Sequence, residues 1–419
     1  VQWKEARMAV RRCNELYRKA RALIPGGTQT ISKRPERYVP GKWPAYWDRA
    51  KGACIWDLDG NKYLDYVMAL GPIVLGYNHP AVNEAIIAQL KKGSITSLQS
   101  PLEVALAEKL VEHIPSAEMV RFMKTGAEAT AMAVRIARAY TNRTKIISCG
   151  YAGWHDWWVA KGAVGSSRGD GNMRGVPEEL DALISDLKYG DTKTLNELVA
   201  RQGSELACIM IDTFEVNDGG AFLHAVRDAA DRTGAVLAFD EIITGYRMGL
   251  GGAQGLYGVT PDISTFGKAM ANGMPLSATV GKRDIMEVAG DLWITSTFGG
   301  EALSLAAALA TIAELEKPET LARLHDLSGR LAKGFEQLAS PYEGIEVFGQ
   351  LSMPGLRFVN GDEDKRYSAG NFVAGMLQAE VLTRPNYVFF VTAALTDDDV
   401  AHTLEAAEKV LTALGAAVA

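Results

Sequence analysis

Cysteine is scarce, with only Cys13, Cys54, Cys149 and Cys208 in 419 residues and no CxxC pair among them. That excludes a disulfide-stapled scaffold and a thiol redox or zinc motif, and fits a reducing compartment. The six histidines fall without metal-ligand spacing, so no metal is expected. Long apolar runs are also missing. None approaches the length needed to span a bilayer. Nor is there an excess of positive charge. Lys and Arg number 44 against 50 Asp and Glu, a formal charge of −6, which argues against a nucleic-acid surface. The stretch "VQWKEARMAVRRCNELYRKARALIPGG" is charged throughout and lacks the apolar core and cleavage site of a secretion signal. A cytoplasmic enzyme of small molecules, with no membrane or nucleic-acid partner, is the expectation.

What is present reads as globular. Apolar residues make up 47% and charged residues 22%, with no low-complexity tract. The length exceeds one core and favours a large domain with a smaller one. Residues up to about Ala22 read as an amphipathic helix stopped by "IPGG". Asp59-Gly60-Asn61 sits between two strand-like runs as a hairpin turn. From about Pro101, helical segments alternate with the apolar runs "KIISC", "LACIMID", "AVLAFDE" and "DISTFG", the pattern of a parallel sheet covered by helices. The end of the chain, "LTDDDVAHTLEAAEKVLTALG", reads as a helix capped by Thr396 and its aspartates. The expected fold is α/β: a large domain over 71–316, with 1–70 and 317–419 combining into a smaller one.

Ligands of such sheets bind beyond the carboxyl ends of the strands. Two residues are placed there. Asp240 ends "GAVLAFD", and Lys268 follows "DISTFG" with Phe266 and Gly267 before it and Ala269, Met270 and Ala271 after it. A charge flanked this way is costly unless its chemistry requires it. Thr125, Gly126 and Ala127 open a helix predicted from about Ala127 to Tyr140, where free N–H groups and the helix dipole favour an anion. Tyr151 follows the strand "KIISC" between Gly150 and Gly153, so its ring could stack on a planar ligand. Gly165-Ser166-Ser167-Arg168-Gly169 formally matches G-x-S-x-G, but loop follows it where a nucleophile elbow needs a helix. "MGLGGAQGLYG" does not fit a dinucleotide fingerprint.

These stretches occur together and in one order: "GACIWDLDGNKYLDY", "LGYNHPAVNEAI", "KTGAEATAMAVRIARAY", "FDEIITGYR", "GVTPDISTFGKAMANGMPLSA" and "STFGGEALSLAAALATI". The set resembles the class III pyridoxal-phosphate aminotransferases, in their glutamate-1-semialdehyde aminomutase-like branch. The resemblance implies a fold-type I transferase with pyridoxal 5'-phosphate as cofactor. Lys268 would hold the cofactor as a Schiff base, Asp240 would pair with its pyridine nitrogen and Tyr151 would stack on its ring. Gly126 and Ala127 would hold the phosphate, joined by Thr297 of a neighbouring subunit, so the active unit would be a homodimer with shared sites. The substrates would be a small-molecule amino donor and a carbonyl acceptor. "GWHDWW" and "STFGGEALSLAAA" look more like the branch often associated with cell-surface sugar and specialised-metabolite pathways, which favours an aminotransferase. An aminomutase or an amino-acid racemase is the alternative, since all three begin with the same proton loss. The chain departs from the family pattern at Ala152, where a histidine is usual, and at Asp212-Thr213, where Glu-Pro is common.

Overall fold

A computed structural model describes residues 10–160, 175–359 and 368–415. The 165–169 serine motif lies outside them. Packing divides the chain into two units, Val1–His79 with Pro318–Ala419, and Pro80–Lys317.

The described part of the first unit opens with the helix Arg11–Leu23, which agrees with the expected helix over its later part, residues 1–9 lying outside the described residues; "IPGG" ends it, with Gly26 and Gly27 at φ 74° and 76°. Strands β1 (Trp47–Lys51), β2 (Cys54–Asp57) and β3 (Lys62–Asp65) form an antiparallel meander. The β2–β3 turn is the expected hairpin, tightened by Asp57 Oδ1, which accepts from the N–H groups of Asp59 and Asn61 at 2.9 Å each. Residues 71–79 belong to this unit. Tyr77 exchanges backbone hydrogen bonds with Gly52, and Val74 O accepts from Ala393 N.

In the second unit, strands β4 (Met119–Met123), β5 (Lys145–Cys149), β6 (Ile184–Leu187), β7 (Leu206–Asp212), β8 (Val236–Asp240), β9 (Ile263–Phe266) and β10 (Ser277–Gly281) form one sheet in the order β4-β10-β9-β8-β7-β5-β6. The five strands from β9 to β6 run parallel, while β10 is antiparallel to both β9 and β4. The fold is thus α/β with a mainly parallel sheet, as expected. All seven residues of β7 and all five of β8 are buried, because helices cover both faces of such strands. Two reversals at β10 bring β4 back to the direction of β9. The carboxyl ends of β4, β5, β7, β8 and β9 therefore share one edge.

The chain then returns to the first unit. Strands β11 (Ile345–Gln350) and β12 (Met353–Phe358) form a hairpin, and β13 (Val381–Leu382) adds parallel to β3. The last helix, Asp397–Gly415, is capped as the sequence suggests: Asp399 N donates to Thr396 Oγ1 and Thr396 N to Asp399 Oδ2. Among the described residues, no helix is long and apolar enough to cross a membrane.

Candidate active site

Asp240 is the last residue of β8, level with Asp212 of β7 and Thr265 of β9. It is buried, and its Oδ1 accepts from Ile242 N at 2.9 Å and Thr265 Oγ1 at 3.3 Å. No hydrogen bond reaches its Oδ2 among the described residues. Burial pushes the carboxyl up to about 6, against the pull of the Ile242 amide and the positive charge of Lys268. At neutral pH it is therefore an anion with one oxygen uncommitted. Such a group fits a protonated ring nitrogen, which would supply both the counter-charge and the missing donor.

Lys268 follows the neighbouring strand end and opens the short turn Lys268–Ala271. Its backbone lies at φ 41°, in the left-handed region that non-glycine residues rarely adopt. The side chain is half-buried, while Ala269, Met270 and Ala271 are fully buried. The apolar flanks thus anchor the turn and hold the lysine at the sheet edge, two residues past β9.

The helix Gly126–Thr141 matches the predicted one. Thr125 caps it reciprocally with Glu128. Thr125 Oγ1 accepts from Glu128 N at 3.3 Å and donates to Glu128 Oε2 at 2.9 Å, and that oxygen accepts from Thr125 N at 2.8 Å. The Thr125 hydroxyl is spent on the cap, whereas no acceptor meets the N–H groups of Gly126 and Ala127 among the described residues. These two donors suit a phosphate. Two glycines let other loops approach them. A Cβ on Gly126 would lie 3.1 Å from Ile242, just after Asp240, and one on Gly153 would lie 2.9 Å from Ala127.

Tyr151 stands two residues beyond β5, 38% exposed, with its ring edge-on to Trp158 at 5.0 Å. Its N–H donates to Asp212 Oδ2 at 3.3 Å, and Trp158 Nε1 donates to Gly150 O at 3.1 Å. Gly150, at φ 80°, lets the loop pass so close to Asp212 that a Cβ would sit 2.6 Å from Asp212 Cβ. Asp240, Lys268, Tyr151 and the Thr125-Gly126-Ala127 turn are thus all set at one sheet edge.

Thr297 is exposed on a turn ahead of the helix Ala302–Leu315 and does not cap it. Glu301 is the cap, accepting from Leu303 N at 2.7 Å and Ser304 N at 3.2 Å. Glu301 also accepts from Lys124 Nζ at 3.2 Å, tying this turn to the one that begins the phosphate-suited helix. That pair escaped the sequence reading, because nothing local links residues 124 and 301.

Over residues 39–411 the chain matches the model of the family described as aminotransferase class-III. The chain belongs to this family. It is 36% identical to a 3-aminobutyryl-CoA aminotransferase of Cloacimonas acidaminovorans, with 96% of each protein covered. It is also 37% identical to a glutamate-1-semialdehyde 2,1-aminomutase of Ignicoccus hospitalis, covering 95% of this chain and 98% of that protein. Among solved structures, the FumI protein of Sphingopyxis sp. MTA144, in its PLP internal aldimine form, superposes with a TM-score of 0.88 at 28% identity, covering 97% of each chain. The resemblance drawn from the motifs is therefore correct at the level of family, fold and class of reaction.

Elsewhere in this class III chain, other ligand-type side chains are already committed. Lys109 Nζ bridges Glu112 at 2.9 Å and Glu316 at 2.7 Å, next to His113. Asp57 and Asp59 are occupied by the N–H groups of the hairpin and of Arg12 and Cys13. The sequence reading also passed over Glu241. A second acid directly after Asp240, followed by Ile242 and Ile243, was the available signal.

Proposed function

We propose that this chain is a pyridoxal-phosphate-dependent aminotransferase that moves an amino group between a small amino donor and a carbonyl acceptor, working as a homodimer with shared sites. Its cofactor is pyridoxal phosphate. The observation that carries the site assignment is the buried, ionised Asp240, with one oxygen uncommitted, on the strand beside the one that delivers Lys268.

When bound, the cofactor supplies an electron sink for the pair left behind as the substrate α-carbon loses its proton. Asp240 Oδ2 would hold a proton on the pyridine nitrogen, keeping that sink effective. Lys268 Nζ is the residue that would hold the cofactor covalently, and as a free amine it would be the base that takes and returns the substrate α-proton. Gly126 and Ala127 N–H bind the phosphate at the positive end of their helix. Tyr151 covers one face of the ring. Thr297, exposed and not needed as a helix cap, supplies a further phosphate donor to the second copy. A phosphate dianion accepts more hydrogen bonds than one helix start offers, which is the physical reason for that second source.

The experiment is to incubate the yellow holoenzyme with a panel of amino donors and no acceptor. Conversion of the cofactor to its pyridoxamine form, reversed by a carbonyl acceptor, is expected, and Lys268→Ala should lose borohydride fixation of cofactor to the chain. Exchange of the α-proton with solvent while the cofactor stays yellow would mean a racemase. Isomerisation of an amino aldehyde without net release of a keto product would mean an aminomutase.

A further inference from the structure

Directly behind Asp240 lies a second carboxyl, Glu241, fully buried and without an ion pair among the described residues. Its Oε2 accepts from Ala253 N at 2.8 Å and its Oε1 from Gln254 N at 2.9 Å. Gly252, at φ 65°, lets this backbone close on the carboxyl, since a Cβ there would lie 2.6 Å from Oε2.

The far side of the same oxygen meets hydroxyls. Thr244 Oγ1 and Glu241 Oε2 are in short hydrogen-bond contact, Thr244 Oγ1 lies 2.7 Å from Thr213 Oγ1, and Thr213 Oγ1 donates to the backbone carbonyl of Asp240 at 2.9 Å. These three contacts need three hydrogens, and two threonines carry only two. The Asp240 carbonyl can only accept, so Thr213 donates there. Thr244 must then donate to Thr213, and the hydrogen between Thr244 and Glu241 has to come from Glu241.

We infer that Glu241 is held as the neutral acid and donates to Thr244, starting a hydrogen-bond chain through Thr213 that fixes the carbonyl of Asp240 and so positions its carboxylate. The environment agrees. Burial pushes the Glu241 carboxyl up, against the pull of its contacts with Thr244 and with the amides of Ala253 and Gln254. Among the described residues, Asp240 and Tyr257 are the titratable groups whose own ionisation an ionised Glu241 would oppose, and Lys268 acts on Asp240. Two adjacent buried carboxylates cannot both ionise cheaply, and the one near the lysine keeps the charge. The chain also gives Thr213 a role at the position where the motif departs from the family pattern. Glu241, Thr244 and Thr213 are positioning residues, not catalytic ones.

The positional consequence rests on the proposed role of Asp240, whereas the protonation of Glu241 does not, and the test separates them. Infrared difference spectra of the holoenzyme at neutral pH, in H2O and D2O, should show a carboxylic-acid C=O band that Glu241→Gln abolishes. Thr244→Val, which removes the acceptor, should move that band to higher frequency. If Glu241→Gln does not fold, 13C-glutamate labelling with Thr244→Val identifies the band. Absence of a protonated glutamate band, or a band that no variant affects, overturns the inference. For the positional part, Thr213→Val should shift the pH at which the visible cofactor band titrates, and Thr213→Ser should restore it. An unshifted titration in Thr213→Val removes the chain from the positioning of Asp240. A wild-type protein with no visible cofactor band would instead refute the cofactor site, leaving the infrared result standing.

Discussion

At the scale of single residues, Asp240 carries the clearest consequence. Its carboxyl, raised to about 6 by burial, must ionise if it is to take its proposed role beside a protonated ring nitrogen. In the cofactor-free protein, an acid whose folded value lies above its unfolded one stabilises the fold fully at low pH. That contribution is lost as pH rises from about 4 toward about 6. In the proposed role, cofactor binding runs the other way, because it requires the anion. Loading of cofactor-free protein, followed by absorbance, should therefore fall as pH drops below about 6, and Asp240→Asn should abolish that dependence. The same variant should fold yet turn over at least about 100-fold more slowly, ~2.7 kcal/mol of barrier. Near-normal turnover would take Asp240 out of the mechanism. The placement of Asp240 and Lys268 at strand ends was legible in the sequence for one reason: each follows an apolar run of strand length, and a charge there is expensive without a purpose. Glu241 and Thr213 were not. Their meaning depends on Thr213 lying against a carbonyl 27 residues away, and no local pattern encodes that distance.

At the scale of elements, run length and periodicity were enough to read the helix Gly126–Thr141, the hairpin at Asp59-Gly60-Asn61 and the buried parallel strands. The antiparallel placement of β10 between β4 and β9 was not readable, because a buried run looks the same in either direction. Gly153 shows how an element becomes a site. It sits at φ 106°, and a Cβ there would lie 2.9 Å from Ala127, on the helix turn proposed to hold phosphate. Thr130 Oγ1, one turn further along, donates to Ala152 O at 2.6 Å and holds the two segments together. Gly153→Ala should cost about 1–3 kcal/mol through backbone strain and also weaken cofactor retention, since any relief must push the loop off Ala127. Thermal melts with and without added cofactor separate the two effects. A lower Tm with unchanged cofactor affinity would mean that the Ala127 N–H plays no part in binding.

At the scale of the whole molecule, the question is whether one chain is a complete enzyme. Within the unit that bears the site, large apolar side chains stand exposed, among them Trp293 at 86%, Leu98 at 80% and Phe298, next to Thr297. A second copy of the chain would cover such a surface at low cost. Thr297 has no helix to cap, so its exposed hydroxyl is available to a neighbour. If the neighbour's phosphate is its target, each site draws Lys268 from one chain and Thr297 from the other. Lys268→Ala chains and Thr297→Ala chains, each inactive or severely impaired alone, should then regain activity on subunit exchange. In a mixed dimer one site carries both lesions and the other carries neither, so an equilibrated equimolar mixture, in which about half the dimers are mixed, should approach a quarter of wild-type activity. Were both residues to act within one chain, every site of the mixture would keep one lesion. Failure to recover activity, with exchange confirmed by mass and Thr297→Ala itself impaired, would assign Thr297 to its own chain and leave the dimer without a catalytic reason.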